Sequence, residues 1–399
     1  MSQKVKLQLL LKVLRYAISH FPFRTKRLLS MAFPMAMIAY LVHYRKVLHF
    51  KVLYKGALST SIAMRMPVLN TKKFYASPYF LHKYSQSYLC TKRMVNNRDL
   101  VHESEVFDFS SGGKCILEWL SFKSRTIEYN PELIVLIVPG TNTAANAPYV
   151  EDLAIDLMKL NYKTLIYMPR VNQKNFIAPT EGFLNFETDL HDAVVHVREK
   201  CPNTRLVLIG YSMGANTVVN YLAKYPNDTS IAAGISISNP FDLGKTSKKL
   251  YGTVADSFLL KGILEKARVH REYFDSIKEK FLFDIEEILS AKTSLEFERA
   301  FNVKIMGYRD ANAYYEGISS LKNLSKVNHP LLILNAIDDP FIDQSSLPIN
   351  ITNEKPNILL LLTQKGGHLG WVSGFFRLKR WSSRVVIEFL SAINTPLEM

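Results

Sequence analysis

The chain has 399 residues, of which 48% are hydrophobic and 12% aromatic, a composition that excludes an intrinsically disordered protein. Its formal net charge is +15, but no Asp or Glu precedes Asp99, whereas 18 of the 50 Lys and Arg residues do. The other 32 basic residues are balanced by 35 acidic ones, so the positive excess belongs to the first quarter of the chain. This asymmetry predicts that the first quarter alone contacts an anionic partner, either a membrane or a nucleic acid.

The N-terminal segment is apolar as well as basic, which favours a membrane and argues against nucleic-acid binding. Residues 28–44 (LLSMAFPMAMIAYLVHY) are 17 residues without a formal charge, flanked on both sides by Lys and Arg, and are long enough for a short membrane anchor. Residues 5–21 mix Leu, Val and Ile with Lys and Arg, which predicts an amphipathic helix on an anionic lipid surface. The alternative is a buried pair of core helices. We expect a single-pass or tightly associated protein of the endoplasmic reticulum or another internal membrane.

Beyond about residue 100, short apolar runs alternate with helical patterns, which predicts an α/β fold with a mostly parallel sheet flanked by helices. An edge hairpin is predicted around Gly112 and Gly113, between two runs of β-forming residues. Further strands are predicted at residues 132–140, 162–169, 205–210, 231–238, 330–336 and 357–363. Helices are predicted at residues 149–160, 186–200, 213–224 and 380–393.

The stretch from residue 241 to about 328 has helical patterns and no strand, which predicts a helical cap inserted between two strands. The chain therefore divides into an anchor segment at residues 1–60, a linker at 61–104 and a catalytic domain at 105–395 that carries this cap. The oligomeric state stays open.

The sequence GYSMG places Ser212 between Gly210 and Gly214, after an apolar strand and before a helix. Such a tight strand-to-helix turn needs residues without a side chain beside the serine, and it presents the hydroxyl at the carboxyl edge of the sheet. This pattern is typical of the nucleophile elbow G-x-S-x-G. The alternative interpretation is a helix N-terminus in which the serine is only a cap.

A serine nucleophile needs a base, which an acid orients, and in this fold the chain order is serine, acid, histidine. Asp338 and Asp339 follow one apolar strand directly, and His368 follows two glycines after the next strand. Both segments leave the carboxyl ends of strands, at the edge predicted for Ser212. We expect Asp339 to be the acid and Asp338 to brace the loop, with the reverse assignment as the alternative.

Two backbone N–H groups are expected to bind the oxyanion. One belongs to Met213, directly after the nucleophile. The second is predicted at Thr141, where Pro139 and Gly140 make a sharp exit from the strand at residues 132–140. This chemistry requires no metal and no organic cofactor.

With these residues in place, the chain resembles the AB hydrolase family 4 branch of the α/β-hydrolases over roughly residues 65–395. The matching segments are PGTNTAANAPYV, GYSMGANTV, NPFDL, GYRDANAYYEGISSLKNL, PLLILNAIDDPFI and GGHLGW. That branch includes membrane-anchored abhydrolase-domain lipases and yeast medium-chain ester synthase/esterases. Ser212, Asp339 and His368 match its triad positions. Ala215 stands where relatives usually have a further glycine, and the loop at residues 141–146 lacks their glycines.

The resemblance implies a membrane-bound serine hydrolase that acts on acyl esters of lipids, such as monoacylglycerols or medium-chain esters. An acyltransferase, ester synthase or phospholipase with the same triad is the alternative within this class. A non-catalytic membrane scaffold or receptor on a hydrolase fold is the alternative from another class.

Overall fold

The computed structural model of the chain describes residues 49–124, 126–170 and 186–394. In these ranges nine strands form one sheet: β1 (Phe50–Leu53), β2 (Leu100–Asp108), β3 (Lys114–Phe122), β4 (Leu133–Val138), β5 (Lys163–Met168), β6 (Arg205–Tyr211), β7 (Ile231–Ile237), β8 (Leu331–Ala336) and β9 (Ile358–Thr363). A separate two-stranded ribbon is made by β10 (Val372–Ser373) and β11 (Lys379–Arg380).

The described helices are α1 (Ala57–Met64), α2 (Lys83–Leu89), α3 (Pro148–Met158), α4 (Phe186–Lys200), α5 (Met213–Lys224), α6 (Leu243–Leu250), α7 (Val254–Val269), α8 (Arg271–Phe281), α9 (Ile285–Leu289), α10 (Ser294–Ala300), α11 (Asn302–Ile305), α12 (Ala311–Ile318), α13 (Ile351–Glu354) and α14 (Trp381–Asn394). Short 3₁₀ turns lie at Pro67–Leu69, Leu321–Lys326 and Gln344–Ser346.

The strand order is β1-β9-β8-β7-β6-β4-β5-β3-β2. The six strands from β9 to β5 run parallel, whereas β3, β2 and β1 add antiparallel pairs at the two ends. The predicted mostly parallel sheet and the predicted edge hairpin, which is β2 and β3, are thus confirmed. Ile137 of β4 lies opposite Ile209 of β6 and Ile166 of β5, so the carboxyl ends of these strands reach the same edge.

The central strands are buried on both faces, which explains their continuous apolar runs. In β6, Val207 and Ile209 pack into one core layer with α3 and α14, whereas Leu206 and Leu208 pack into the opposite layer with α4 and α5. Each such fully buried side chain contributes about 2 kcal/mol of hydrophobic stabilisation. The two layers make the sheet a rigid platform for the loops at its edge.

The short strand β1 extends the sheet beyond the sequence-based expectation. Phe50 to Leu53 pair antiparallel with β9, although they belong to residues 1–60, the range predicted as the anchor segment. The folded body therefore extends back to at least Phe50. The predicted anchor at residues 28–44 and the amphipathic helix at 5–21 lie outside the described residues. In the described ranges, no helix has both the length and the apolar character to cross a membrane.

Seven helices, α6 to α12, connect β7 to β8, which confirms the predicted helical cap. The cap has its own core around Phe274, Phe297 and Phe301. Asn216 on α5 ties the cap to the main domain, because its side chain donates to the Ile318 carbonyl at 2.7 Å and accepts from the Ser320 N–H at 3.0 Å. The cap is thus fixed to the helix that begins directly after Ser212.

Candidate active site

Ser212 occupies a strained turn between β6 and α5. Its backbone has φ 53° and ψ −120°, a conformation that costs a non-glycine residue about 1–3 kcal/mol. The neighbouring glycines permit it: a Cβ on Gly210 would lie 2.4 Å from the Cα of Ala215, and one on Gly214 would lie 2.2 Å from the Val138 carbonyl oxygen. The sequence pattern GYSMG thus folds into a turn that only small residues can form at these two positions.

His368 lies in the loop after β9, beside Ser212. Its Nε2 is 3.0 Å from Ser212 Oγ and its Nδ1 is 2.8 Å from Asp339 Oδ2. The Asp339 side chain is 1% exposed and that of His368 is 13% exposed. The three side chains, from three separate loops, form one continuous hydrogen-bonded chain at the carboxyl edge of the sheet.

The two adjacent aspartates have different surroundings. Asp339 contacts the histidine through Oδ2, while its Oδ1 accepts the Phe341 N–H at 2.8 Å. Asp338 accepts the Gly367 N–H at 2.9 Å and lies 3.6 Å from the Lys365 ammonium. Burial raises the pKa of the Asp338 carboxyl above its usual value. Asp338 therefore contacts the backbone of the histidine loop, and Asp339 contacts the imidazole.

Two residues that hold these loops were not singled out by the sequence. Ser87 on α2 accepts the backbone N–H of His368 at 2.8 Å through its hydroxyl. Lys249 on α6 donates to the backbone carbonyl of Asp339 at 3.0 Å. Burial lowers the pKa of the Lys249 ammonium. No local sequence pattern marks either residue, because their partners are distant in the chain.

The predicted oxyanion donors, Met213 and Thr141, line the same cavity as Ser212. Met213 begins α5, and the first N–H groups of a helix have no acceptor within that helix. Gly140 comes so close that a Cβ on it would lie 3.0 Å from Ser212 Cβ, so the backbone of the loop after β4 adjoins the serine. The pairing of Val138 with Gly210 sets this proximity.

A cavity of about 630 Å³ opens above Ser212 between the sheet edge and the cap. Its walls are predominantly apolar side chains, among them Leu243, Phe258, Ile263, Phe274, Phe297 and Phe301. This volume is within the range of pockets that enclose small organic ligands. The lining suits an apolar ligand that reaches the serine.

A polar cluster interrupts the apolar wall of the cavity on the cap side. Burial raises the pKa of the Glu298 carboxyl to about 7, and the Tyr315 hydroxyl lies beside it. Tyr315 in turn is 2.8 Å from the hydroxyl of Ser247. Glu298 is partly accessible as a residue, but its Oε2 is buried and has no hydrogen-bond partner among the described residues. The neutral carboxyl group is favoured in such surroundings.

Together, the strained serine, the hydrogen-bonded imidazole and the buried carboxylate have the geometry that activates a serine hydroxyl for attack on an acyl carbonyl. The fold and this arrangement define an α/β hydrolase. The family model for the alpha/beta hydrolase fold matches residues 134–374, more than half of the chain, and the chain belongs to this family.

Three relatives agree with the branch that the sequence resembles, which confirms that resemblance. Phospholipase ABHD3 of Bos taurus is 26% identical over 332 residues, which cover 81% of this chain and 79% of the relative. Monoacylglycerol lipase of Saccharomyces cerevisiae is 32% identical over 217 residues, or 52% of this chain and 47% of the relative. Medium-chain fatty acid ethyl ester synthase/esterase 2 of the same yeast is 21% identical over 394 residues, or 82% of this chain and 87% of the relative.

Proposed function

We propose that this protein is a serine hydrolase that cleaves carboxylic esters of lipids, with Ser212 as nucleophile, His368 as general base and Asp339 as the acid that orients the imidazole. The observation that carries the proposal is the unbroken chain from Ser212 Oγ through the imidazole to Asp339, with distances of 3.0 and 2.8 Å. The names of the three relatives, a phospholipase, a monoacylglycerol lipase and an ethyl ester synthase/esterase, support this class of substrate.

The reaction proceeds in two halves. His368 takes the proton of Ser212 while Oγ attacks the ester carbonyl, and the backbone N–H groups of Met213 and Thr141 stabilise the oxyanion. The leaving alcohol receives the proton from His368, and a covalent acyl-serine remains. Water, deprotonated by His368, then attacks this ester, and the fatty acid leaves as Ser212 recovers its proton. An alcohol in place of water gives a new ester.

The acyl chain is the part of the substrate that the cavity accommodates. Its apolar walls bury hydrocarbon, and each buried methylene group contributes about 0.8 kcal/mol. We place the enzyme on a membrane through the predicted anchor at residues 28–44, which agrees with the basic and apolar first quarter of the chain. Resistance of the full chain to alkaline carbonate extraction tests a spanning anchor, and release by high salt alone contradicts it.

The nucleophile is tested with a fluorophosphonate probe, which labels activated serines covalently. We expect labelling of the full chain and none of Ser212→Ala, while Ser257→Ala, which removes an exposed hydroxyl on α7, labels normally. Labelling that persists in Ser212→Ala contradicts the assignment of the nucleophile. Absence of labelling in the unmodified chain favours the non-catalytic scaffold.

Hydrolysis and acyl transfer are separated by product analysis. The chain is incubated with a monoacylglycerol, with and without added ethanol, and the fatty acid and the ethyl ester are quantified. A lipid hydrolase releases mainly the fatty acid under both conditions, whereas dominant ethyl ester formation supports the ester synthase alternative. Either product must disappear with Ser212→Ala.

A further inference from the structure

Six aromatic side chains form an exposed patch outside the catalytic site. Each is between 37% and 59% exposed. We call this group the aromatic patch; it consists of Tyr75, Tyr79, Tyr84, Tyr88, Phe375 and Phe376. It comes from two segments that are far apart in the sequence, the chain around α2 and the turn between β10 and β11.

Direct contacts join the two segments. The rings of Tyr79 and Phe375 are 4.9 Å apart, and those of Phe375 and Phe376 are 4.6 Å apart. Beneath them, the buried Gln86 of α2 accepts the Val372 N–H at 2.9 Å and donates to the Phe80 carbonyl at 2.6 Å. Tyr79, Phe375 and Phe376 therefore form one contact cluster, and Gln86 fixes α2, which carries Tyr84 and Tyr88, to the ribbon that carries the two phenylalanines.

The two stretches that supply the aromatic patch carry only positive formal charge. No Asp or Glu occurs at residues 49–98 or at residues 369–387, the two stretches that supply it. The ammonium of Lys83 lies 5.2 Å from the Tyr84 ring centre, and that of Lys92 lies 4.6 Å from the Tyr88 ring centre. Arg93 and Arg380 pair with Glu151 and Asp152, whereas Arg377, next to Phe376 in the sequence, is exposed.

The patch adjoins both the cavity and the histidine loop. Thr91, whose hydroxyl donates to the Tyr88 carbonyl at 2.8 Å, lines the cavity. Phe258 of α7 also lines the cavity and is 68% exposed, which places an exposed aromatic side chain at the cavity rim. Ser87, between Tyr84 and Tyr88 on α2, holds the backbone of His368.

We propose that the aromatic patch docks onto a lipid bilayer that carries anionic headgroups, and so brings the cavity mouth to the lipid surface. Tyrosine and phenylalanine with nearby lysines have the chemistry of the membrane interface, where rings enter the headgroup region and ammonium groups bind anionic lipids. The proposal rests on the proposed function for its purpose, since a docked mouth lets an acyl chain enter without crossing water. It adds a second membrane contact to the predicted anchor.

Docking is tested on the full chain by fluorescence. Phe375→Trp places a reporter in the patch, and Val106→Trp places one on β2, at an exposed position that is 54% accessible and outside the patch. Vesicles contain phosphatidylserine and phosphatidylcholine brominated along its acyl chains. We expect quenching of the indole introduced into the patch above the native background and none for the control, because bromine quenches only indoles at the bilayer.

Equal quenching of the two reporters, or none in either, overturns the proposal, because the aromatic patch then lies no closer to the bilayer than β2 does. The measurement needs no turnover and is repeated in Ser212→Ala, so a failure of the proposed hydrolase activity does not affect it. Quenching that persists without any ester hydrolysis leaves the docking surface in place and rejects the proposed function.

A second variant connects docking to turnover. Phe375→Ser with Phe376→Ser removes two exposed rings that lie outside the lining of the cavity in the described ranges. We expect an about tenfold lower rate on an ester embedded in anionic vesicles, which corresponds to about 1.4 kcal/mol of lost binding, and an unchanged rate on a soluble short-chain ester. An equal loss on both substrates indicates damage to the fold and contradicts a docking role.

Discussion

Ser87 accepts a hydrogen bond from the backbone N–H of His368 at 2.8 Å, although 281 positions separate the two residues in the chain. The Ser87 hydroxyl also donates to the Lys83 carbonyl at 2.8 Å, so a hydrogen bond within α2 sets the orientation of the Ser87 side chain. A helix near the N-terminal end of the described chain thereby fixes the loop that carries the proposed base.

Ser87→Ala is expected to lower kcat about fivefold to tenfold with little change in KM, because a lost hydrogen bond of about 1 kcal/mol loosens the imidazole and not the acyl pocket. Steady-state kinetics on a soluble ester and the rate of fluorophosphonate labelling measure this. Ser87→Thr should restore most of the rate, since it keeps the hydroxyl. Ser85→Ala on the same helix is the control; a similar kcat for Ser85→Ala and Ser87→Ala contradicts the positioning role.

Asp339→Asn and Asp338→Asn should differ strongly. The first removes the charge that orients His368 and favours the wrong imidazole tautomer, for which a loss in kcat of about 10⁴-fold is known from serine proteases. The second keeps an oxygen that can accept the Gly367 N–H, so we expect a loss below about threefold. Comparing kcat of the two purified variants decides which carboxylate is the acid, and a larger loss for Asp338→Asn reverses the assignment.

Gly214→Ala should destabilise the protein, because the new Cβ would lie 2.2 Å from the Val138 carbonyl oxygen and the backbone of β4 cannot yield easily. We expect a loss of about 2–4 kcal/mol in the free energy of unfolding, with loss of probe labelling. Gly244→Ala is the matched control in a helix of the cap, where the nearest atom to the new Cβ is 3.5 Å away. It should be neutral or stabilise by up to about 1 kcal/mol. Denaturant titrations that rank the two variants in the opposite order refute the steric argument.

Glu298→Gln should alter the dependence of stability on pH. Burial raises the pKa of this carboxyl from 4.5 to about 7, so in that interval the folded protein holds a proton that the unfolded chain has released. The group therefore costs stability progressively as pH rises from 4.5 to 7, by up to about 3 kcal/mol, and the cost is absent below this window. The Glu298→Gln variant has no carboxyl group at this position, so its stability lacks this dependence on pH.

The comparison is made by denaturant unfolding of both proteins at acidic and at alkaline pH. The free energy of unfolding of Glu298→Gln relative to the unmodified chain should be higher at about pH 8 than at about pH 4.5. A difference that does not change with pH contradicts a raised pKa for this carboxyl. Glu279→Gln, at an exposed position on α8 of the cap, serves as the control for the substitution itself.

Much of the fold was predictable because its signals are local. Runs such as LIVLIV and ILLLLT belong to β4 and β9, which are buried on both faces, and the period of two assigns alternate residues of β6 to opposite core layers. The short β1 was missed because four residues next to a basic segment carry too little pattern. Only its pairing with β9 makes it a strand.

The candidate site, like the fold, could be predicted from the sequence only in part. Ser212, Asp339 and His368 could be named from the sequence because each follows the end of a parallel strand, and parallel strands deliver such residues to one edge. The sequence also determined the glycines that permit the elbow. It favoured Asp339 over Asp338 as the acid, with the reverse assignment as the alternative, since both follow the same strand.

Only the tertiary structure decided which residues support that site. Asp339 reaches the imidazole while Asp338 reaches the Gly367 N–H, and Ser87 and Lys249 hold the two loops from helices that are remote in sequence. The physical reason is that strand, turn and helix preferences act over a few residues, whereas these hydrogen bonds exist only after packing has brought distant segments together. The same holds for the raised pKa of Glu298, which arises from the cap that encloses it.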